Sequence, residues 1–446
     1  MRKVRFYSQV VSLFIKRFAF LIVLGVLLGG VFFLGGEKIF SAFGPLVKVE
    51  RVGVLGQFTQ NNLPLSITSA MSMGLTTLDT ESKPQAGIAQ NWEVKEEGRV
   101  WEFTIKKGLK WQDGSNVKAG DLIYNIPDVA ASYPDDNHII FQLPDPYAPF
   151  PVIVSRPIFK RNLLGVGRWE AKDVVGNSGN IRELVLAEIS LPAQAGTGRE
   201  IIYLFYPTEN MMLSAFKLGE IDTILDFSDN KKLTGFNQLH VEADNHLDRF
   251  VGIFLNTEDT LLNDKSIRQA LAYATNKTNL GGPDAPRALS SISPLSWAYN
   301  PLVKNYNYDA KHAKDLIKNK KDLSINLATI PSLLSVAEQI AAQWQAVGIK
   351  TNVQVASGVP EKFQALLATE IIPPDPDQYN MWHSTQTSSN ITNYKNPRID
   401  KLLEDGRRTL KQEERQKIYL DFQRFLVEDS PVIFLYHPVT YTISRK

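Results

Sequence analysis

The stretch "LSINLATIPSLLSVAEQIAAQWQAVGIKTNVQV", Leu323 to Val355, decides the fold class. Its first seven residues read as a strand. In the segment from Ser332 to Lys350, Leu333, Val336, Ala337, Ile340, Ala341, Trp344 and Val347 recur at three- and four-residue steps, the spacing that puts them on one face of a helix. Ser332 is placed to cap its start and Gly348 to stop it, and "IKTNVQV" follows at once as a second strand. Strand, helix and strand in that order make a right-handed crossover unit, which requires a partly parallel sheet.

Working outward, "VKVERVGVLGQF" (Val47 to Phe58) and "REIIYLFYP" (Arg199 to Pro207) read as strands. "RVWEFTIKKGLKW" (Arg99 to Trp111) alternates well enough for a strand pair turning at Lys106-Lys107-Gly108. Asp113-Gly114 is a tight-turn signal, and Ala119-Gly120-Asp121 can open a helix. "RIDKLLEDGRRTLK" and "QEERQKIYLDFQRFLVED" form a helix pair ending before Pro431. No internal repeat or low-complexity tract interrupts this mixed α/β pattern.

The totals narrow the function. A chain of 446 residues with 43% hydrophobic content is long enough for two or three domains. Lys+Arg of 49 against Asp+Glu of 47 leaves +2, so nothing calls for nucleic acid as a partner. With no cysteine, thiol nucleophiles, disulfides and thiolate metal sites are excluded. The six histidines lack the spacing of a helical zinc motif, and nucleophile elbow, Walker loop and dinucleotide fingerprint are all missing. No metal, cofactor or catalytic constellation is expected.

Phe18 to Gly36 comprises nineteen uncharged, mostly apolar positions. At about 1.5 Å per helical residue they nearly span a hydrocarbon core of roughly 30 Å. Arg2, Lys3, Arg5, Lys16 and Arg17 precede them with no acid, so the positive-inside bias puts residues 1–17 in the cytoplasm and the chain after a 37–47 linker outside. Ala42-Phe43-Gly44 offers small residues for signal cleavage, but the apolar run exceeds a signal core and Pro45 would follow the cut; an uncleaved membrane anchor over 18–36 is the reading taken.

The densest chemistry is "PPDPDQYNMWHS", Pro373 to Ser384. Carboxylates two residues apart, such as Asp375 and Asp377, share one face of an extended segment and do not give the roughly 5–9.5 Å separation that glycoside hydrolysis uses. Tyr379, Trp382 and His383 beside them suit an aromatic-lined loop that receives an amphipathic ligand.

These pieces resemble the bacterial extracellular solute-binding proteins of family 5, the dipeptide/oligopeptide-binding group of ABC importers. Between Gly74 and Ile126 the likeness rests on Pro84, Ile88, Ala89 and Trp92, then on Lys107, Gly108, Lys110, Trp111, Asp113 and Gly114, then on Ala119, Asp121 and Leu122. It continues through "FKLGEIDT" (Phe216 to Thr223) and through Asn256, Arg268, Gln269, Ala270 and Ala274 to "EDSPVIFLYHPVTY", covering nearly the whole chain after the apolar segment.

The resemblance implies a two-lobed α/β fold, periplasmic-binding-protein-like (type II, cluster C-like), here preceded by the transmembrane helix. Lobe I is expected over 48–248 plus 430–446 and lobe II over 249–429, with "RFVGIFLN" and "PVIFLYHP" as crossovers. It implies a monomer that closes on a peptide or similar small solute and delivers it to ABC transporter permease subunits; a tethered peptide sensor or a hydrolase are the alternatives.

Departures from the family pattern are specific. The lipoprotein cysteine is missing, so the apolar helix must anchor. The stretch from Asn125 to Phe141 is short and "GVGRW" (Gly165 to Trp169) replaces a longer phrase, which implies a reduced auxiliary subdomain. Ile372 stands where peptide-binding relatives hold the ligand's amino terminus with an aspartate, with Glu370 two residues earlier as a substitute. Glu370, Asp375, Tyr379, Trp382 and His383 are the expected ligand-binding residues.

Overall fold

A computed structural model describes residues 18–20, 48–177, 179–189, 198–233, 235–236 and 238–445. Most of the expected anchor over 18–36, with the 1–17 segment and the 37–47 linker, lies outside these residues. Among the described residues no helix is long and apolar enough to cross a membrane.

Two large sheets organise the chain. The first runs, in spatial order, β12 (Leu239–Asn245), β18 (Val439–Arg445), β11 (Thr223–Phe227), β1 (Lys48–Leu55), β10 (Arg199–Tyr206), β9 (Asn180–Glu188) and β8 (Trp169–Asn177). Its centre is parallel, β1 pairing with β10 from Lys48↔Arg199 to Leu55↔Tyr206, and its margins are antiparallel. Helix α1 (Leu65–Met71) buries Ile67 and Met71 against it, and α2 (Glu209–Leu218) is capped at its start by Thr208 and stopped by Gly219 at φ 80°.

The second sheet is β15 (Lys350–Val355), β14 (Ser324–Thr329), β16 (Ala365–Ile371), β13 (Arg249–Leu255) and β17 (Val432–Tyr436). Helices α3 (Lys265–Ala274), α4 (Ala310–Ile317), α5 (Leu334–Ala346), α6 (Pro397–Arg408) and α7 (Gln412–Asp429) accompany it. The crossover unit is present: β14 and β15 are parallel from Ser324↔Lys350, and α5 between them buries Val336, Ala337, Ile340, Ala341 and Trp344. Ser332, however, lies in a 3-10 turn over Pro331–Leu333, and no side-chain cap bond is made at the start of α5. Pro331 sets that turn before the α-helical hydrogen bonds begin. Gly348, at φ 94°, ends the segment.

A smaller body sits beside the first sheet: β4 (Ala89–Lys95), β5 (Val100–Ile105), β7 (His138–Gln142) and β6 (Ala130–Asp135), with the pair β2 (Thr76–Leu78) and β3 (Pro84–Ala86). Phe103, Phe141 and Phe150 form its core, the Phe141 and Phe150 rings 5.0 Å apart. The strand pair expected at Lys106-Gly108 does not form, because β5 already has β4 and β7 on its two edges. Lys110 pairs instead with Asn116 across the Asp113-Gly114 turn. The helix expected at Ala119 is a single 3-10 turn, Ala119–Asp121, whose Asp121 carboxylate is taken by Lys118 N and Trp111 Nε1, both at 3.1 Å.

Gln112 is the knot of this region. Its Nε2 donates to the carbonyls of Met71, Gly167 and Trp169 at 3.1, 3.1 and 2.8 Å, and its Oε1 accepts from Gly165 N at 2.9 Å. A Cβ on Gly165 would sit 2.2 Å from Met71 O, so the "GVGRW" glycines serve close backbone approach.

The chain passes between the sheets twice, at 246–248 and at His437-Pro438. Val432–Tyr436, expected with lobe I, pairs with β13 in the five-stranded sheet through Gly252↔Phe434 and Phe254↔Val432; only β18 returns to the seven-stranded sheet. Its five consecutive buried residues have the pattern of a strand covered on both faces, which the core around β13 supplies. The two passages are bonded to each other: His437 Nδ1 donates to Arg249 O at 2.7 Å, and His246 N donates to Pro438 O at 2.9 Å.

Candidate functional site

β16 ends next to the first passage, where Ile372 N donates to Asp248 O at 2.7 Å. Glu370 lies within β16, and the loop that follows carries the other four expected residues between the five-stranded sheet and the small four-stranded body. Ile372 itself is buried, and a short helical turn, Tyr379–Trp382, closes the loop.

Two carboxylates of the loop are held by arginines from α6 and α7. Arg415 Nη2 and Nη1 donate to Asp375 Oδ1 and Oδ2 at 2.7 and 3.1 Å, and Arg415 Nε donates to Gly406 O at 2.8 Å. Both partners are nearly inaccessible, 6% exposed each. Burial alone would lower the Arg415 guanidinium; the Asp375 charge holds it above its ordinary value instead. Asp377 Oδ2 accepts from Arg407 Nε at 2.9 Å and from Tyr147 Oη at 3.3 Å, and its Oδ1 accepts from Tyr379 N at 3.2 Å. Burial pushes the Asp377 carboxyl up, and Arg407 pulls against it.

Tyr147 belongs to the small body, so this cluster joins the two sides. Ala148 N donates to Arg407 O at 2.7 Å across the same junction. Arg407 lies over the Tyr379 ring at 4.0 Å and over the Tyr147 ring at 5.3 Å. Tyr379 stacks on His383, centroids 4.0 Å apart and planes at 19°. His383 is buried, with Nδ1 2.8 Å from Thr385 Oγ1 and Nε2 3.4 Å from Glu404 Oε1. Burial, with the Asp377 charge, raises the Tyr147 hydroxyl, so it stays a donor at neutral pH.

A pocket of about 350 Å³ opens at this junction. Pro127, Val129, Leu143 and Tyr147 line it from the small body, and Tyr379, Glu404, Arg407 and Arg408 from the other side. Asp128 and Asp145 also border it, so both signs of charge flank an aromatic and proline-rich wall. Its size is that of a small-ligand site.

The five expected residues are therefore not gathered at one wall. Tyr379 lines this pocket and His383 backs it. Asp375 is spent on Arg415. Trp382, 1% exposed, is a core residue whose Nε1 donates to Gln378 Oε1 at 2.9 Å. Trp382 and Glu370 border a second, separate cavity of about 40 Å³ with Phe254, Met381 and Thr392, room for little more than water. Glu370 lies opposite Phe250 in the β13–β16 register; burial raises its carboxyl, and among the described residues no hydrogen bond or ion pair reaches it. Sequence reasoning missed Tyr147, Glu404, Arg407 and Arg415. The available signal was the Asp-Pro-Asp phrase itself: carboxylates buried beside aromatics require cations, and the arginines of the following helix pair supply them.

Comparison with known proteins agrees with this architecture. Residues 83–179 and 195–393 match the bacterial extracellular solute-binding proteins, family 5 Middle. The oligopeptide-binding protein AppA of Bacillus subtilis (strain 168) is 24% identical over 455 residues, covering 85% of this chain and 83% of that protein. The dipeptide-binding protein of Escherichia coli (strain K12) is 22% identical, covering 81% and 82%. Among solved structures, NikZ from Campylobacter jejuni in complex with Ni(L-His) superposes with a TM-score of 0.72 at 20% identity, over 89% of this chain and 94% of that one. AppA from Bacillus subtilis in complex with a nonapeptide superposes with a TM-score of 0.67 at 21% identity, over 90% and 95%. These likenesses establish the two-lobed, cluster C periplasmic-binding-protein-like α/β fold.

Proposed function

Because this chain belongs to the bacterial extracellular solute-binding proteins, family 5, a family of non-catalytic binders, we propose that it captures a peptide or peptide-like zwitterion between its two lobes and hands it to the permease of an ABC importer. The observation that carries the reading is the pocket walled by Tyr147 on one side and by Tyr379 and Arg407 on the other. Arg407 and Arg408 complement a carboxylate, Glu404, Asp128 and Asp145 complement an ammonium, and the tyrosines and prolines take up an apolar side chain. Relatives named for oligopeptides and dipeptides support peptide as the solute class.

In this reading Tyr379 touches solute, His383 orients the Tyr379 ring, and Asp375 positions the loop through Arg415. Trp382 and Glu370 border the separate small cavity behind the loop and do not line this pocket. A solute that contacts both walls favours the closed arrangement by its differential affinity alone, and a micromolar complex would release about 8 kcal/mol in total. The apolar run Phe18 to Gly36 is proposed as the tether that keeps the lobes at the outer face of the membrane.

The test is calorimetric titration of the chain with short peptides, alongside mass spectrometry of solute released on denaturation. Tyr379→Ala should weaken the bound peptide at least tenfold while circular dichroism stays unchanged. Unaltered affinity would remove this pocket from the function, and turnover of the peptide would contradict the non-catalytic reading.

A further inference from the structure

A polar cavity between the segment that follows α3 and the end of β17 lies away from the interlobe pocket. It measures about 450 Å³ and is lined by Lys277, Ala285, Arg287, Tyr306, Tyr308, Tyr436 and a set of asparagines and glycines from 276–282 and 305–307. β17 reaches it one residue before the His437-Pro438 passage, so the cavity opens beside the place where the lobes join. Among the described residues no acidic side chain lines it.

Among the described residues neither of its basic side chains, Lys277 and Arg287, has an anionic partner. Lys277 Nζ donates to the carbonyls of Ala272, Thr275 and Tyr306 at 2.5, 3.0 and 2.7 Å, where it meets the negative end of α3. That arrangement accounts for Lys277 as a cap on the helix terminus. Arg287 is different. Its Nη1 alone serves the backbone, donating to Ala288 O at 2.7 Å, Leu435 O at 2.5 Å and Phe434 O. Among the described residues no hydrogen bond engages its Nε or Nη2, and the ionisable groups coupled to it are Lys277, His437 and Tyr299, none of them a carboxylate. Burial, aided by Arg287, pulls the Lys277 ammonium down to about 6 against the three carbonyls, and burial likewise lowers the guanidinium.

A half-buried guanidinium with one edge anchored on backbone carbonyls and the other unbonded at a cavity without acids is a ready partner for an anion. The open Nε and Nη2 edge is the planar fork that receives two oxygens of a carboxylate. We propose that this cavity is a binding site for a carboxylate-bearing small molecule, received by Arg287. The bound carboxylate draws the Lys277 amine back to its charged form. The proposal does not depend on what fills the interlobe pocket.

The experiment uses the full chain and calorimetry with tricarballylate, inorganic phosphate, trialanine and trialanine amide at fixed ionic strength. Tricarballylate should bind saturably, and Arg287→Gln should weaken it at least tenfold. Because Arg287→Gln also disturbs three backbone contacts, Ala285→Glu is the second variant: it builds a carboxylate into the cavity wall and should abolish the tricarballylate response while raising the midpoint of thermal unfolding. Trialanine bound at least tenfold tighter than its amide, with the difference lost in both variants, would assign the carboxylate to a peptide. Tricarballylate binding that depends on Arg287 while neither peptide binds would keep this site and overturn the peptide reading of the other pocket. No saturable carboxylate binding, phosphate binding alone, or equal carboxylate binding in wild type and both variants would overturn the proposal.

Discussion

Replacing Asp375 by asparagine removes the counter-charge from an arginine that has nowhere else to turn. Asp375 and Arg415 are each 6% exposed and joined by contacts of 2.7 and 3.1 Å; the remaining Arg415 bond goes to Gly406 O. Asparagine preserves the shape, so the loss is almost wholly electrostatic. Breaking a buried pair on one side costs about 3–5 kcal/mol, because the partner keeps its desolvation penalty without its compensation. Arg415→Met should cost a similar amount, since it strands the carboxylate. The double variant, with neither charge, should lie within about 2 kcal/mol of wild type, a coupling energy of at least about 4 kcal/mol. Urea unfolding at 25 °C followed by tryptophan fluorescence reads this locally, as Arg415 lies 5.4 Å from the Trp297 ring. With separate cores around the separate sheets, the transition assigned to the five-stranded one is the relevant quantity. Single losses below about 1 kcal/mol, or a double variant no better than the sum of the singles, would refute the claim that this pair locks the loop.

Glu370→Gln tests the unpaired carboxyl beneath that loop. Burial raises its folded pKa above the ordinary 4.5, so the native state holds the proton longer and stability falls as pH rises from 4.5 through the raised value. The glutamine variant should therefore gain up to about 1 kcal/mol at pH 7, after screening, and show no gain at pH 4; a gain independent of pH would contradict the cause. Gln112→Ala should cost about 2–3 kcal/mol by chemical denaturation, for the loss of bonds to Met71, Gly165, Gly167 and Trp169. Gln112→Glu should be at least as damaging, since a carboxylate cannot donate to three carbonyls; a neutral outcome for either would remove Gln112 as the knot.

What the sequence determined by itself is the local and the repetitive. The period of Leu333 to Val347 required a helix, the flanking apolar segments required parallel strands beside it, and Asp113-Gly114 required a tight turn, because each of these is set by residues within one turn or one strand of each other. The ordered motif matches from Pro84 onward pointed to the family for the same reason: each is a short phrase with a local job. Tertiary structure alone decided the partners. Nothing in the apolar run of Val432 to Tyr436 says which sheet it joins. Trp382 reads as a ligand-facing aromatic but fills the core, while Tyr379, three residues earlier, lines the pocket; a short turn gives adjacent aromatics opposite fates according to what packs above it. Asp377 meets a tyrosine 230 residues away, and Arg287 meets carbonyls of a strand almost 150 residues on. A buried charge demands some partner, and that demand is legible in the chain, but the choice among dozens of arginines, tyrosines and carbonyls is made by the packing of distant elements.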